Sequence, residues 1–193
     1  MPRIVDAAAR RDAFVEVAAD LIAAEGLEGA SLRRVAAAAG CTTGAVTHYF
    51  GSREVLLAAV LRQAHDAAQA RMEAAAMQVP DPMSRLRTVL HEALPLDALR
   101  RREWLVWLAF WAASTSDPIL AEDNRTRYRI WRDRLLQLVT PLSDAPDETV
   151  DLLVAAVDGL GLDLILRGQG GTSADHAMAR LEALLGRLLA AGR

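Results

Sequence analysis

From Ala30 to Phe50 the chain reads ASLRRVAAAAGCTTGAVTHYF. Ala36, Gly40 and Val46 stand four and six residues apart, which is the spacing of a helix-turn-helix. Each position has a steric reason. Ala36 lies where two helices cross closely, so only a small side chain fits. Gly40 ends the first helix, where the chain needs a positive φ that glycine adopts without strain. Val46 faces inward from the second helix, toward Val35 and Ala39. Ser31 and Thr42 stand just before the two helices, where their hydroxyls can cap free N–H groups. Such a unit lays its second helix in a DNA major groove.

Each residue of that second helix advances about 100° around its axis. Val46 and Phe50 then share the inner side. Thr43, Gly44, Thr47 and His48 share the opposite arc, with Tyr49 at the border. The outer set is small and polar and can reach base edges and phosphates. Arg33 and Arg34 lie in the first turn of the preceding helix, where backbone N–H groups and a guanidinium suit a phosphate. Arg53 opens the following helix and is placed to meet the DNA backbone on the other flank.

Charge alone does not decide the matter. The chain of 193 residues carries a net charge of −3, so DNA affinity needs a local patch. Over residues 1–53 six arginines balance six acids, but Arg33, Arg34 and Arg53 flank the reading helix while most of the acids lie on the first helix. All 22 basic residues are arginine, a fixed donor fork for phosphates and guanines.

Composition and punctuation together point to an all-α fold of about nine helices. Ala and Leu are abundant, aromatics make up only 5%, and no run of alternating β-branched residues appears. Helices are expected over about 6–24, 32–39, 43–50, 53–76, 82–94, 98–114, 118–140, 146–167 and 174 to the C-terminus. Their stops and starts are Gly26, Gly40, Gly51–Ser52, Asp81–Pro82, Pro95, Asp117–Pro118, Pro141, Pro146, Gly168 and Ser173. This divides the chain into a helix-turn-helix domain at 1–52 and an effector-binding and dimerisation bundle at 53–193.

The single cysteine, Cys41, excludes an intrachain disulfide and a cysteine-based zinc site. In the turn it reads as a small packing residue, with redox sensing as the alternative. No leader pattern is visible, and the longest apolar run, Trp104 to Ala113, is too short to span a bilayer. The expectation is a cytoplasmic protein. His48, His65, His91 and His176 lie in four separate helices, and no catalytic order, metal-ligand spacing or phosphate loop stands out. No enzyme activity, metal or cofactor is therefore expected.

The N-terminal residues resemble the TetR family of bacterial transcription regulators. The likeness runs from Ala13 to Val60. It includes Glu25–Gly26, Ser31–Leu32–Arg33–Arg34–Val35–Ala36, Ala39–Gly40, Thr43–Gly44–Ala45–Val46, His48–Tyr49–Phe50, Ser52–Arg53–Glu54 and Leu56–Leu57. By this resemblance Arg33, Thr43, Gly44, Thr47, His48 and Tyr49 would contact DNA, and Arg53 would hold a phosphate. The reading surface as a whole comprises Ser31, Arg33, Arg34, Thr42, Thr43, Gly44, Thr47, His48, Tyr49 and Arg53.

In the C-terminal half all four tryptophans lie within 28 positions. Trp104, Trp107 and Trp111 recur at helical spacing beside Phe110, and Tyr128 and Trp131 follow on the next helix. They form either a packed core or an aromatic pocket; aromatic faces attract organic cations. Asp158 interrupts an apolar helix and needs a partner if buried, either a protein group or a cationic effector. The run EWLVWLAFW at 103–111, with Asp117–Pro118, Asn124, Tyr128 and Trp131, resembles the BetI-like subgroup, choline-responsive repressors of glycine-betaine synthesis. The effector site implied is Trp104, Trp107, Phe110, Trp111, Tyr128, Trp131 and Asp158, for a choline-like cation, a polyamine or another amphiphile.

The eighth helix is apolar nearly all round, and Gly159 and Gly161 permit close packing. A helix of that kind in a small chain calls for a partner. By resemblance, the last two helices would pair with their twofold mates through Val154, Val157, Gly161, Leu164, Leu181, Leu184, Leu185 and Leu188. The protein is then expected to be a ligand-responsive repressor that binds a palindromic operator as a homodimer. The alternative is a helical dimeric module that binds a small molecule or partner without binding DNA.

Overall fold

The computed structural model describes residues 7–167 and 173–190. Among the described residues there is no strand and there are nine α-helices. They are α1 (Ala7–Glu25), α2 (Leu32–Ala38), α3 (Thr43–Phe50), α4 (Arg53–Met77), α5 (Pro82–Ala93), α6 (Ala98–Ser114), α7 (Pro118–Val139), α8 (Pro146–Leu166) and α9 (Ala174–Ala190). Position 6, where the first helix was expected to begin, and the helix stop at Gly168 lie outside the described residues. A short 3-10 turn over Leu27–Gly29, which the sequence reading did not contain, joins α1 to α2.

Side-chain caps start most helices. Ser31 accepts from Arg34 N at 3.3 Å, Thr42 from Ala45 N at 3.3 Å, and Ser52 from Val55 N at 3.4 Å. Asp81 accepts from Ser84 N at 2.8 Å and Asp117 from Ile119 N at 2.9 Å, each just before a proline in the first helical turn. Ser173 accepts from His176 N at 3.2 Å. Gly40 and Gly51 carry φ of 65° and 70°, so the turns on either side of α3 both use the left-handed region.

The chain divides into two compact units, one comprising residues up to Ala67 with Leu105–Ala113, the other Ala68–Trp104 with Ser114 onward. The core of the first unit joins Phe14, Ala18 and Ile22 of α1 to Val35, Ala36, Val46, Phe50 and Leu56. Phe14 meets Tyr49 and Phe50 edge-on at 5.5 and 6.4 Å. These contacts fix α3 on its inner side and leave its outer side to solvent.

The core of the second unit is built from Leu86, Leu90, Trp104, Leu135, Leu153, Leu181 and Leu185. It also holds a network of ion pairs. Arg71 of α4 grips Glu103 of α6 through two bonds of 2.8 and 2.7 Å and reaches Glu92 of α5 at 3.1 Å. Arg100 bonds Glu92 at 3.2 Å and Asp97 at 2.8 Å. Glu103 and Arg100 are buried, so these bonds replace lost hydration and tie α5, the first turns of α6 and the end of α4 together.

Candidate functional site

The outer side of α3 is open. Thr43, Gly44, Thr47 and His48 are exposed, Tyr49 is half-buried against Phe14, and Val46 and Phe50 are buried. The Thr47 hydroxyl donates to Thr43 O at 3.0 Å and so lies along the helix. Thr42 is exposed and Ser31 half-buried, each accepting a backbone N–H in a cap. At the start of α3 the Ala45 N–H is taken up by Thr42, whose own side chain is exposed, as are Thr43 and Gly44.

The three flanking arginines differ. Arg33 is exposed, and among the described residues it makes no hydrogen bond or ion pair. Arg34 makes two bonds of 2.5 Å to the carboxylate of Glu25. That pairing holds the Glu25 carboxyl below its usual range, the hydrogen bonds from Arg34 being the main cause. Arg53 turns inward: Nε donates to Ala30 O at 3.2 Å and Nη2 to Leu27 O at 2.5 Å. The sequence reading gave all three guanidiniums to phosphates; in this structure two are engaged with the protein. Cys41 is half-buried and free.

The aromatic cluster separates into two kinds of side chain. Trp104 is 2% exposed and its indole N–H donates to Ala93 O at 2.8 Å. Its ring lies against Gly161, where an added Cβ would overlap it. Phe110 is 3% exposed. Of the two readings the sequence left open, these two rings are packed as core in this structure and line no open recess. Trp107, Trp111, Tyr128 and Trp131 are half-buried.

Tyr128 and Asp158 come together. The phenol of Tyr128 on α7 donates to Asp158 Oδ2 on α8 at 2.6 Å. Burial pushes the Asp158 carboxyl above the usual carboxylate range, and the Tyr128 bond opposes that only in part. Burial, and then the adjoining carboxylate, raise the Tyr128 phenol well above its ordinary value. No arginine or histidine among the described residues pairs with Asp158. Beside it, an open recess of about 330 Å³ is lined by Tyr128, Arg129, Arg132, Asp151 and Val154. Arg132 is tied to Asp151 at 2.9 Å and Asp147 at 3.2 Å.

The expected interface residues also divide. Val157, Gly161, Leu181 and Leu185 are buried within the protomer and have no surface to offer a partner, which corrects that part of the expectation. Val154, Leu164, Leu184 and Leu188 are half-buried. The solvent-facing stripe of α8 is Leu152, Ala155, Gly159, Leu162 and Leu166, with Leu152, Leu162 and Leu166 at 43%, 40% and 72% exposure. Sequence reasoning missed this stripe. Its signal was present, since the spacings alternate between three and four residues as in a helix-pairing seam.

Residues 14–60 match the model of bacterial regulatory proteins of the tetR family, and residues 82–190 match that of the C-terminal region of BetI-type transcriptional repressors. The chain belongs to the TetR family, with a BetI-type C-terminal half. Its likeness to the transcriptional regulator BetI of Burkholderia cenocepacia is 33% identity over 174 residues, covering 87% of this chain and 88% of the relative. A BetI of Chromohalobacter salexigens is 28% identical, with 88% and 86% covered. Among solved structures, a Rhodococcus transcriptional regulator is 31% identical with a TM-score of 0.83, covering 94% of this chain and 96% of that one. A Saccharomonospora viridis regulator in complex with choline is 28% identical with a TM-score of 0.85, covering 92% and 96%. This TetR-family protein is thus a ligand-responsive, DNA-binding transcriptional regulator of the repressor type, and its relatives are regulators, not enzymes. No helix among the described residues is long and apolar enough to cross a membrane.

Proposed function

We propose that this TetR-family repressor reads a palindromic operator as a homodimer and is released from it by a small organic cation. The DNA-binding domain is 1–52 and the effector-binding and dimerisation domain 53–193; the protein acts in the cytoplasm. The reading surface is the exposed outer side of α3 (Thr43, Gly44, Thr47, His48) with Tyr49 at its edge and Arg33 on its flank. Twofold pairing along α8 and α9 would set two such helices about 34–36 Å apart, one turn of DNA.

The observation that carries the effector class is Asp158. A half-buried carboxylate raised by burial, with a phenol as its hydrogen-bond partner and no cation beside it, is incompletely compensated. A quaternary ammonium supplies that charge without needing a hydrogen bond, and the rings of Tyr128 and Trp131, one turn apart on α7, offer it aromatic faces. The neighbouring recess carries Arg129 and Arg132 and does not suit a cation. Choline, the ligand of the Saccharomonospora viridis structure, is the first candidate; polyamines and other amphiphilic cations follow.

Release is a shift of population. A ligand that prefers the conformer with mis-spaced reading helices lowers operator affinity by linkage, and a coupling of about 1–3 kcal/mol changes it roughly 5–150-fold. The test is a titration of the protein onto its own upstream DNA with and without choline. A fall in affinity within that range supports the reading. Equal affinity in the presence of saturating choline, with spermidine as a parallel probe, removes the cationic effector.

A further inference from the structure

Arg53 stands in the first turn of α4, half-buried, with its guanidinium bonded to two carbonyls of the α1–α2 corner. We propose that Arg53 is a positioning residue: it ties α4 to that corner and thereby sets the angle at which α3 is presented to DNA. The inference rests on α3 being the DNA-reading helix.

The two acceptors, Leu27 O and Ala30 O, bracket the 3-10 turn that the chain makes between α1 and α2. Ala30 is itself fully buried, so its carbonyl depends on a protein donor, and Arg53 Nε is that donor. Ser31, the next residue, caps α2, and α2 packs directly on α3. From the other side α3 is joined to α4 by Gly51 and Ser52 alone. The reading helix is therefore held to α4 at both ends of one closed loop, by covalent chain at its C-terminus and by the Arg53 clamp through α2. Glu28 approaches the same guanidinium at 3.5 Å, a loose ion pair on its exposed side.

The chemistry requires arginine. Nε and Nη2 lie along one edge of a rigid plane and reach two carbonyls three residues apart; a lysine ammonium can serve a phosphate but cannot span both carbonyls. The clamp and the phosphate roles therefore predict opposite results for Arg53→Lys.

The experiment measures binding of the full chain, as wild type, R53K and R53A, to its upstream DNA and to a scrambled duplex across a range of salt. Circular dichroism at the assay temperature establishes that each variant is folded. The clamp predicts that the ratio of upstream to scrambled affinity falls about tenfold or more in both variants, with the slope of log affinity against log salt unchanged. A phosphate ligand predicts the reverse: R53K near wild type, and R53A weakened equally on both duplexes with a slope shallower by about one. That second pattern overturns the proposal, and so does R53K with unaltered discrimination. Wild type's own preference for the upstream duplex tests the DNA reading separately.

Discussion

Tyr128 donates its phenolic hydrogen to Asp158 across 2.6 Å, from α7 to α8. The bond satisfies one oxygen of a carboxylate that burial has pushed above its usual range. Between the ordinary aspartate value and that raised value, the folded protein holds a proton that the unfolded chain has released. Stability carried by Asp158 is therefore present at low pH and is lost as pH rises through this window. Other carboxylates titrate too, so the informative quantity is a difference. Asp158→Asn is expected to gain melting temperature relative to wild type as pH rises above the ordinary aspartate value of about 4. Differential scanning fluorimetry at several pH values reads this directly, and a difference that stays flat with pH contradicts it.

The same carboxylate is expected to govern effector affinity. Asp158→Asn should weaken choline binding by about 10-fold or more, as the loss of a partly desolvated charge pair implies. Choline affinity of wild type should rise as the carboxylate ionises. Calorimetric titration at two pH values separates these from a general loss of folding; equal affinity in both proteins contradicts the assignment.

The two glycines of α8 make opposite predictions. At Gly161 an added methyl would overlap the Trp104 ring, so Gly161→Ala should destabilise by about 1–3 kcal/mol, the usual cost of overpacking. At Gly159 nothing lies within 4 Å of an added Cβ, and alanine is the better helix former by about 1 kcal/mol. Gly159→Ala should leave the protomer at least as stable, while Gly159→Trp, in the middle of the exposed stripe, should disrupt self-association. Sedimentation of the variants checks this; a Gly159→Trp protein that assembles like wild type places the mate elsewhere.

Thr42→Ala removes the cap of the reading helix. Loss of such a cap costs about 1 kcal/mol, which for a chain of this size is roughly 2–4 °C in melting temperature. Thr42→Asp keeps an acceptor and should retain the stability while weakening DNA binding through its charge. Thermal melts and binding isotherms together distinguish the two effects.

Helix limits were legible in the sequence to within a residue or two because caps, prolines and glycines act locally. Thr42, Asp81–Pro82 and Asp117–Pro118 mark starts that depend on no distant neighbour. Burial on α3 was equally legible, since a short amphipathic helix has one apolar side. The facing of α8 was not. Its residues are apolar nearly all round, so Val157 and Leu162 look alike until the packing of α7 and α9 buries one and leaves the other at 40% exposure. Trp104 was read with Trp107 and Trp111 because the three share a helix. What makes it core is Gly161, far along the chain, whose missing side chain provides the space. The bonds Arg53 makes to the protein were not legible for a related reason. Its acceptors, Leu27 O and Ala30 O, are presented by a 3-10 turn that leaves no strong sequence mark, and a long guanidinium reaches whatever acceptor the backbone presents.

The central claim, that the outer side of α3 reads sequence, is tested most directly by footprinting wild type, Thr47→Arg and His48→Ala on the upstream DNA. The account predicts two protected half-sites about 10 base pairs apart for wild type. It also predicts loss of that pattern in Thr47→Arg and weakening in His48→Ala, with both variants folded and assembled as before. An unchanged footprint and affinity in both variants would contradict it.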